Sequence, residues 1–145
     1  MGSETVVRSL GRHVSRPRRP LILVVDDDLD ARTIYRQYLK HVGCRVVTAR
    51  DGLSALDKAV QHRPDVIVMD LAMPRLDGWE ATRRLKRTKL TRKIPVIVMS
   101  AVQMSGDGAR AAGCDGFLAK PCSPELLWWE VRLMLKSPDH KPPAH

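Results

Sequence analysis

Short apolar runs recur along the chain. Leu21-Ile22-Leu23-Val24-Val25, Val66-Ile67-Val68-Met69 and Ile94-Pro95-Val96-Ile97-Val98-Met99 are continuous rather than alternating, which is how strands buried on both faces read. Residues 44–49 (CRVVTA) and 115–119 are shorter strand-like stretches. Helical patterns lie between them. Residues 29–41 carry Ile34, Tyr38 and Val42, with Ala31 and Tyr35, and Gly43 ends the pattern. Asp51-Gly52 reads as a turn before a helix over 54–62 that carries Leu53, Leu56, Ala59 and Val60. Asp77 is placed to cap a helix running to about residue 88, with Trp79 and Leu85 on its apolar side. Residues 103–112 form a weaker helical pattern, because Gly106 and Gly108 lie inside it and each costs about 1 kcal/mol relative to Ala. Ser123-Pro124 is a helix start, with Ser at the N-cap and Pro at the first helical position; that helix runs to about 136.

Five strand–helix units in succession predict an α/β fold, doubly wound, with a five-stranded parallel sheet between two layers of helices. Right-handed crossovers restrict the topology. The common order for five such strands is 2-1-3-4-5, flavodoxin-like, with its crevice between strands one and three.

Composition sets the bounds. The 145 residues are 43% hydrophobic, enough for one domain with a core. No stretch approaches the roughly 18 consecutive apolar residues of a membrane span, so membrane insertion is not expected. Cys44, Cys114 and Cys122 fit neither a disulfide framework nor a zinc spacing; reduced thiols and a cytoplasmic location are expected. The net charge is +9. Residues 1–20 hold five arginines against one glutamate and read as a disordered basic arm, either a solvated tail or an anion-binding one. Residues 21–136 are the expected domain, and 137–145 a flexible tail.

The chemistry sits where the strands end. Asp26 and Asp27 end the first strand, Asp70 the third, Ser100 the fourth and Lys120 the fifth. In a parallel sheet these tips share one edge, where ligands bind. Two like charges 4 Å apart cost about 4 kcal/mol at an effective dielectric of 20, so the acids call for a positive charge, either a proton held by a raised pKa or a bound metal. Oxygen ligands without His or Cys favour Mg²⁺ over zinc. Acids, a metal, one ammonium and one hydroxyl also suit phosphoryl transfer, with an Asp as nucleophile.

LILVVDDD, VIVMDLAMPRLDG, VIVMSA and GFLAKP, in that order, make the chain resemble the receiver domains of bacterial two-component response regulators, across residues 21 to about 136. The resemblance implies a stand-alone, phosphorylation-controlled signalling module, whose only catalysis is its own phosphorylation and dephosphorylation. Asp70 would accept phosphate from a histidine kinase or histidine phosphotransfer protein. Asp27 would bind Mg²⁺ directly, Asp26 mainly through water, and the Ala72 backbone carbonyl would complete the ligands. Lys120 would contact Asp70 and then the phosphoryl group, before a cis peptide to Pro121. Ser100 would be the switch hydroxyl and Phe117 the switch aromatic. The fourth helix, fifth strand and last helix would form the surface that changes. Two positions depart from members that carry polar groups beside the attacking water: Ala72 and Val102 are apolar here, which implies slow self-dephosphorylation.

The last helix carries a second apolar stripe. Leu127, Val131, Met134 and Leu135 share the face expected to cover the sheet, whereas Leu126, Trp129 and Leu133 lie almost opposite. The second stripe is either a set of scattered exposed hydrophobes or a face for a downstream effector or a phosphorylation-dependent homodimer. Arg83, Arg84, Lys86, Arg87, Lys89, Arg92 and Lys93 form either a solvated face or an attractor for an acidic kinase domain or nucleic acid. No helix-turn-helix unit follows the domain, so nucleic acid is not the expected partner. The alternative from another class is an aspartyl-phosphate hydrolase or phosphotransferase. Such enzymes commonly hold a second Asp where Ala72 stands. A nucleic-acid binder acting through the basic arm is a third reading.

Overall fold

The computed structural model describes residues 18–73, 75–101 and 112–136. The expected arm, tail and helix over 103–112 lie outside these residues, apart from 18–20 and Ala112. So do Pro74 and Val102.

The described chain runs β1 (Leu21–Val25), α1 (Leu29–His41), β2 (Arg45–Ala49), α2 (Gly52–His62), β3 (Val66–Asp70), α3 (Gly78–Arg87), β4 (Val96–Ser100), β5 (Gly116–Ala119) and α4 (Pro124–Lys136). The strands form one parallel sheet in the order β2-β1-β3-β4-β5, as the sequence pattern predicts.

Alternation along each central strand divides the core in two. Ile22, Val24, Val66, Val68, Ile97 and Met99 face α1 and α4, where Tyr35, Leu39, Leu127 and Val131 meet them. Leu23, Val25, Ile67, Met69, Val96 and Val98 face α2 and α3, where Ala55, Ala59, Ala81 and Leu85 meet them. Because both faces are covered, β1, β3 and β4 are buried at every residue, which is why they read as unbroken apolar runs.

Two helix faces differ from expectation. On α1 the inward residues are Tyr35 and Leu39, supported by Ala31 and Val42, whereas Ile34 is exposed. Ala31, Tyr35, Leu39 and Val42 follow a four-, four- and three-residue spacing, one position round from the stripe led by Ile34 and Tyr38. On α2, small Ala55 and Ala59 contact the sheet, and Leu53 and Val60 are exposed. The helix also starts two residues early. Asp51 is its N-cap rather than part of a free turn, with Asp51 Oδ1 accepting from the Ser54 N–H at 2.8 Å.

The α3 cap follows expectation: Asp77 accepts from the Glu80 N–H at 2.9 Å. On α4, the Ser123 hydroxyl oxygen accepts from the Leu126 N–H at 3.1 Å. Leu127, Val131 and Met134 are buried, while Leu126, Trp129 and Leu133 face outward. Arg132 lies over both Trp128 and Trp129, 5.6 and 5.2 Å from the ring centres. No described helix is long and apolar enough to cross a membrane.

Candidate functional site

The sheet order puts β1 between β2 and β3, and β4 between β3 and β5. The C-terminal ends of β1, β3, β4 and β5 therefore share one edge, with Asp70 opposite Met99 and Ser100 opposite Ala119 in register. One carboxylate oxygen from each of Asp26, Asp27 and Asp70 lies within 4.8 Å of the others. Asp26 and Asp70 are buried, at 3% and 5% exposure, and Asp27 is exposed.

Lys120 holds the two buried acids together. Its Nζ donates to Asp26 Oδ2 and to Asp70 Oδ1, each at 3.2 Å. Its backbone N–H donates to the Ser100 carbonyl at 2.8 Å, which ties the end of β5 to that of β4. The Lys120–Pro121 peptide is cis, as the resemblance implies. Ser100 is buried at the β4 tip. Phe117, paired with Val98 in the sheet, has its ring partly in solvent, at 38% exposure. Ala72 lies exposed in the loop two residues past Asp70.

Three carboxylates face one ammonium. Burial pushes the Asp70 carboxyl above its ordinary range, Asp26 pushes it further, and Lys120 offsets only part of this. For Lys120, burial works against the charged form, but Asp26 and Asp70 outweigh it and hold the ammonium above its usual value. The carboxylates are hard oxygen donors with no thiol or imidazole among them, and their charge exceeds that of the single lysine. This donor set fits Mg²⁺.

Several supporting residues escaped the sequence analysis. Asp28 is the N-cap of α1, accepting from the Ala31 N–H at 3.0 Å. Its own N–H donates to Asp26 Oδ1 at 2.9 Å, and Arg32 donates to the Asp26 carbonyl at 2.8 Å. Gly78 packs directly on the site: a Cβ there would collide with the Asp70 carbonyl oxygen and lie 2.8 Å from Leu71 Cα. In the sequence this glycine signals only a turn, since nothing local reports what lies 8 residues back in space. Of the clustered basic residues, Arg83 and Arg84 pair with Glu80, and Lys86 pairs with Asp115.

Residues 22–132 match the response regulator receiver domain. Among curated relatives, the polar-differentiation response regulator DivK of Brucella anthropi is 37% identical over 107 residues, spanning 72% of this chain and 86% of its own length. The response regulator MprA of a Mycobacterium species is 40% identical over 125 residues, 83% of this chain; the chain spans about half of that relative, 54%. Among solved structures, the chemotaxis protein CheY4 of Vibrio cholerae aligns with a TM-score of 0.75 at 30% identity, covering 79% of this chain and 98% of that one. The receiver domain of a Pseudomonas aeruginosa sensor histidine kinase, with a magnesium ion coordinated in its active-site cleft, aligns with a TM-score of 0.76 at 32% identity, covering 83% of this chain and all of that one. On the match across most of its length, the chain belongs to the response regulator receiver domain family.

Proposed function

We propose that this chain is a phosphorylation-controlled receiver, with Asp70 as the residue that accepts the phosphoryl group. The observation that carries this reading is the double contact of Lys120 Nζ, 3.2 Å from both Asp26 and Asp70, beside a third carboxylate. An ammonium alone does not balance three acids, and a buried nucleophile so placed is suited to a transferring anion.

Asp26, Asp27, Asp70 and the Ala72 carbonyl would hold Mg²⁺, which supplies positive charge for the transferring oxygens. The donor would be the phosphohistidine of a histidine kinase or histidine phosphotransfer protein. An Asp70 carboxylate oxygen forms the new P–O bond as the P–N bond to the donor imidazole breaks. The Lys120 ammonium then follows the phosphoryl oxygens. The Ser100 hydroxyl turns to donate to the phosphoryl group, and Phe117 leaves solvent for the space so released. Support for that switch lies in the buried Ser100 and the partly exposed Phe117 on adjacent strands. The outcome is a changed surface on β5 and α4, where Leu126, Trp129 and Leu133 would meet a downstream effector or a second copy of the chain.

The test is incubation with acetyl phosphate or beryllofluoride and Mg²⁺, followed by intact mass for the former and self-association for both. The wild type should gain one labile phosphoryl mass, and Asp70→Asn none. An adduct in both proteins, or in neither, would remove Asp70 from this role.

A further inference from the structure

We propose that the open edge of β2 is a docking groove for an extended, acidic segment of a partner protein. β2 is the last strand on its side of the sheet. Along a parallel strand, backbone groups point alternately to the two sides. The Arg45 N–H and the Ala49 carbonyl bond towards the β1 side, to Pro20 and Asp26. Val46 and Thr48 therefore turn their backbone outward; the Thr48 carbonyl already accepts from Lys58 Nζ, so the Val46 N–H and carbonyl and the Thr48 N–H are the groups offered to an added strand. At that edge α1 and α2 stand apart and leave a groove of about 410 Å³, to which Arg32, Arg36, Val46, Thr48 and Lys58 contribute. A second hollow of about 200 Å³ shares Arg32, Thr48 and Lys58 and adds Arg50.

The charge of this groove is one-sided. Arg32, Arg36 and Lys58 line it, Arg50 lines the adjoining hollow, and no acid lines either. None of the four takes part in an ion pair among the described residues. Two are fixed in place by neutral acceptors: Lys58 Nζ donates to the Thr48 carbonyl at 2.7 Å, and Arg32 to the Asp26 carbonyl at 2.8 Å. These bonds hold the two side chains in place, so less ordering is left for binding to impose. Arg32 and Arg36 are one helical turn apart on α1 and lie along the groove; Lys58 and Arg50 flank it on the other side.

Cations spread along both walls of a strand edge match an added strand, whose side chains alternate between the two walls while its backbone pairs with the edge. Charged side chains also discourage edge-to-edge association in general. A merely protected edge would still attract acidic chains by charge but would not pair with their backbone, so dependence on N-methylation in one frame only separates the two roles.

The full-length protein would be titrated with a short fluorescein-labelled peptide of alternating glutamate and threonine, read by anisotropy. Binding should appear at low salt, weaken as salt rises, and fall about tenfold or more in Arg36→Glu/Lys58→Glu, a change of about 1.4 kcal/mol. The milder Arg36→Gln/Lys58→Gln pair, checked for native circular dichroism, should fall in between. Amide resonances of Val46 and Thr48 should shift with the peptide. N-methylation of alternate peptide residues in one frame should abolish binding, and in the other frame spare it. Absence of binding, equal binding by the charge-reversed protein, or indifference to N-methylation in both frames would overturn the proposal. So would full displacement by inorganic tripolyphosphate at equal charge, which would mark a small-anion site instead.

Discussion

The Tyr35 hydroxyl donates a 2.8 Å hydrogen bond to the backbone carbonyl of Cys122, joining residues 87 positions apart. Tyr35 is buried on α1, and Cys122 lies two residues past Lys120. The bond ties the first helix to the turn that carries the lysine of the acid pocket. Burial pushes the Tyr35 phenol above its ordinary value, so it remains a neutral donor. Tyr35→Phe keeps the ring and deletes the bond, leaving a buried carbonyl unsatisfied. The expected loss of stability is about 1–2 kcal/mol by urea denaturation. If the turn also aims Lys120, the rate of phosphorylation by acetyl phosphate should fall about tenfold, short of the roughly hundredfold that a full ångström of misplacement can cost. An unchanged rate at reduced stability would limit Tyr35 to the fold.

Gly78 and Gly43 separate two reasons for a glycine. A Cβ on Gly78 would collide with the Asp70 carbonyl, so Gly78→Ala must displace either the start of α3 or the Asp70 backbone. Overpacking of this kind costs about 1–3 kcal/mol, and phosphorylation of Asp70 should slow with it. Gly43 has a φ of +106° and open space where a Cβ would point. Gly43→Ala should cost about 1 kcal/mol through backbone strain alone and leave phosphorylation unchanged. Equal effects of the two substitutions on phosphorylation would refute the contact argument.

The strands and the acid cluster are legible in the sequence from simple periodicities, and the sheet order from the topology that five strand–helix units commonly take. Continuous apolar runs mark strands covered on both faces, and their polar ends must meet at one edge. The α1 and α2 faces were less legible. Ile34 and Tyr35 are adjacent and both apolar in character, so only packing decides which one the sheet takes; the structure buries Tyr35 and exposes Ile34. On α2, Ala55 and Ala59 face inward while Leu53 and Val60 do not. A scale that ranks Leu above Ala misses a helix seated close to its sheet. Contacts such as Tyr35–Cys122 and Gly78–Asp70 depend on tertiary approach, and no local pattern announces them.

Asp70 should weaken the fold that it serves. Its carboxyl is raised by burial first and by Asp26 second. Between the unfolded and folded values the native state binds more protons than the unfolded chain, so stability falls as pH rises through that window. Above the folded value the penalty is fully present. Asp70→Asn should therefore raise the melting temperature near neutral pH without divalent ions, and the gain should vanish below the unfolded carboxylate range. Mg²⁺ should stabilise the wild type by mass action, about 2.7 kcal/mol at a hundredfold excess over Kd, and stabilise Asp70→Asn less. A lower melting temperature for Asp70→Asn at neutral pH, or equal Mg²⁺ shifts, would contradict this electrostatic picture.

Ala72 bears on how long a phosphoryl group would stay. It lies exposed in the loop two residues past Asp70, and the receiver resemblance implies that a side chain there would meet the water that hydrolyses an acyl phosphate. A methyl group neither accepts nor donates a proton, so Ala72 itself would give that water neither a base nor a hydrogen-bond partner. Positioned proton transfer contributes from about a hundredfold upward; a residue that only orients the water should contribute less. Ala72→Asn and Ala72→Glu are therefore expected to shorten the lifetime of phosphorylated Asp70 by about tenfold or more, with little change in the rate of its formation. The measurement is the decay of the phosphoryl adduct by intact mass after the donor is removed. A wild-type lifetime of seconds, or equal decay in all three proteins, would show that the loop residue does not control the water.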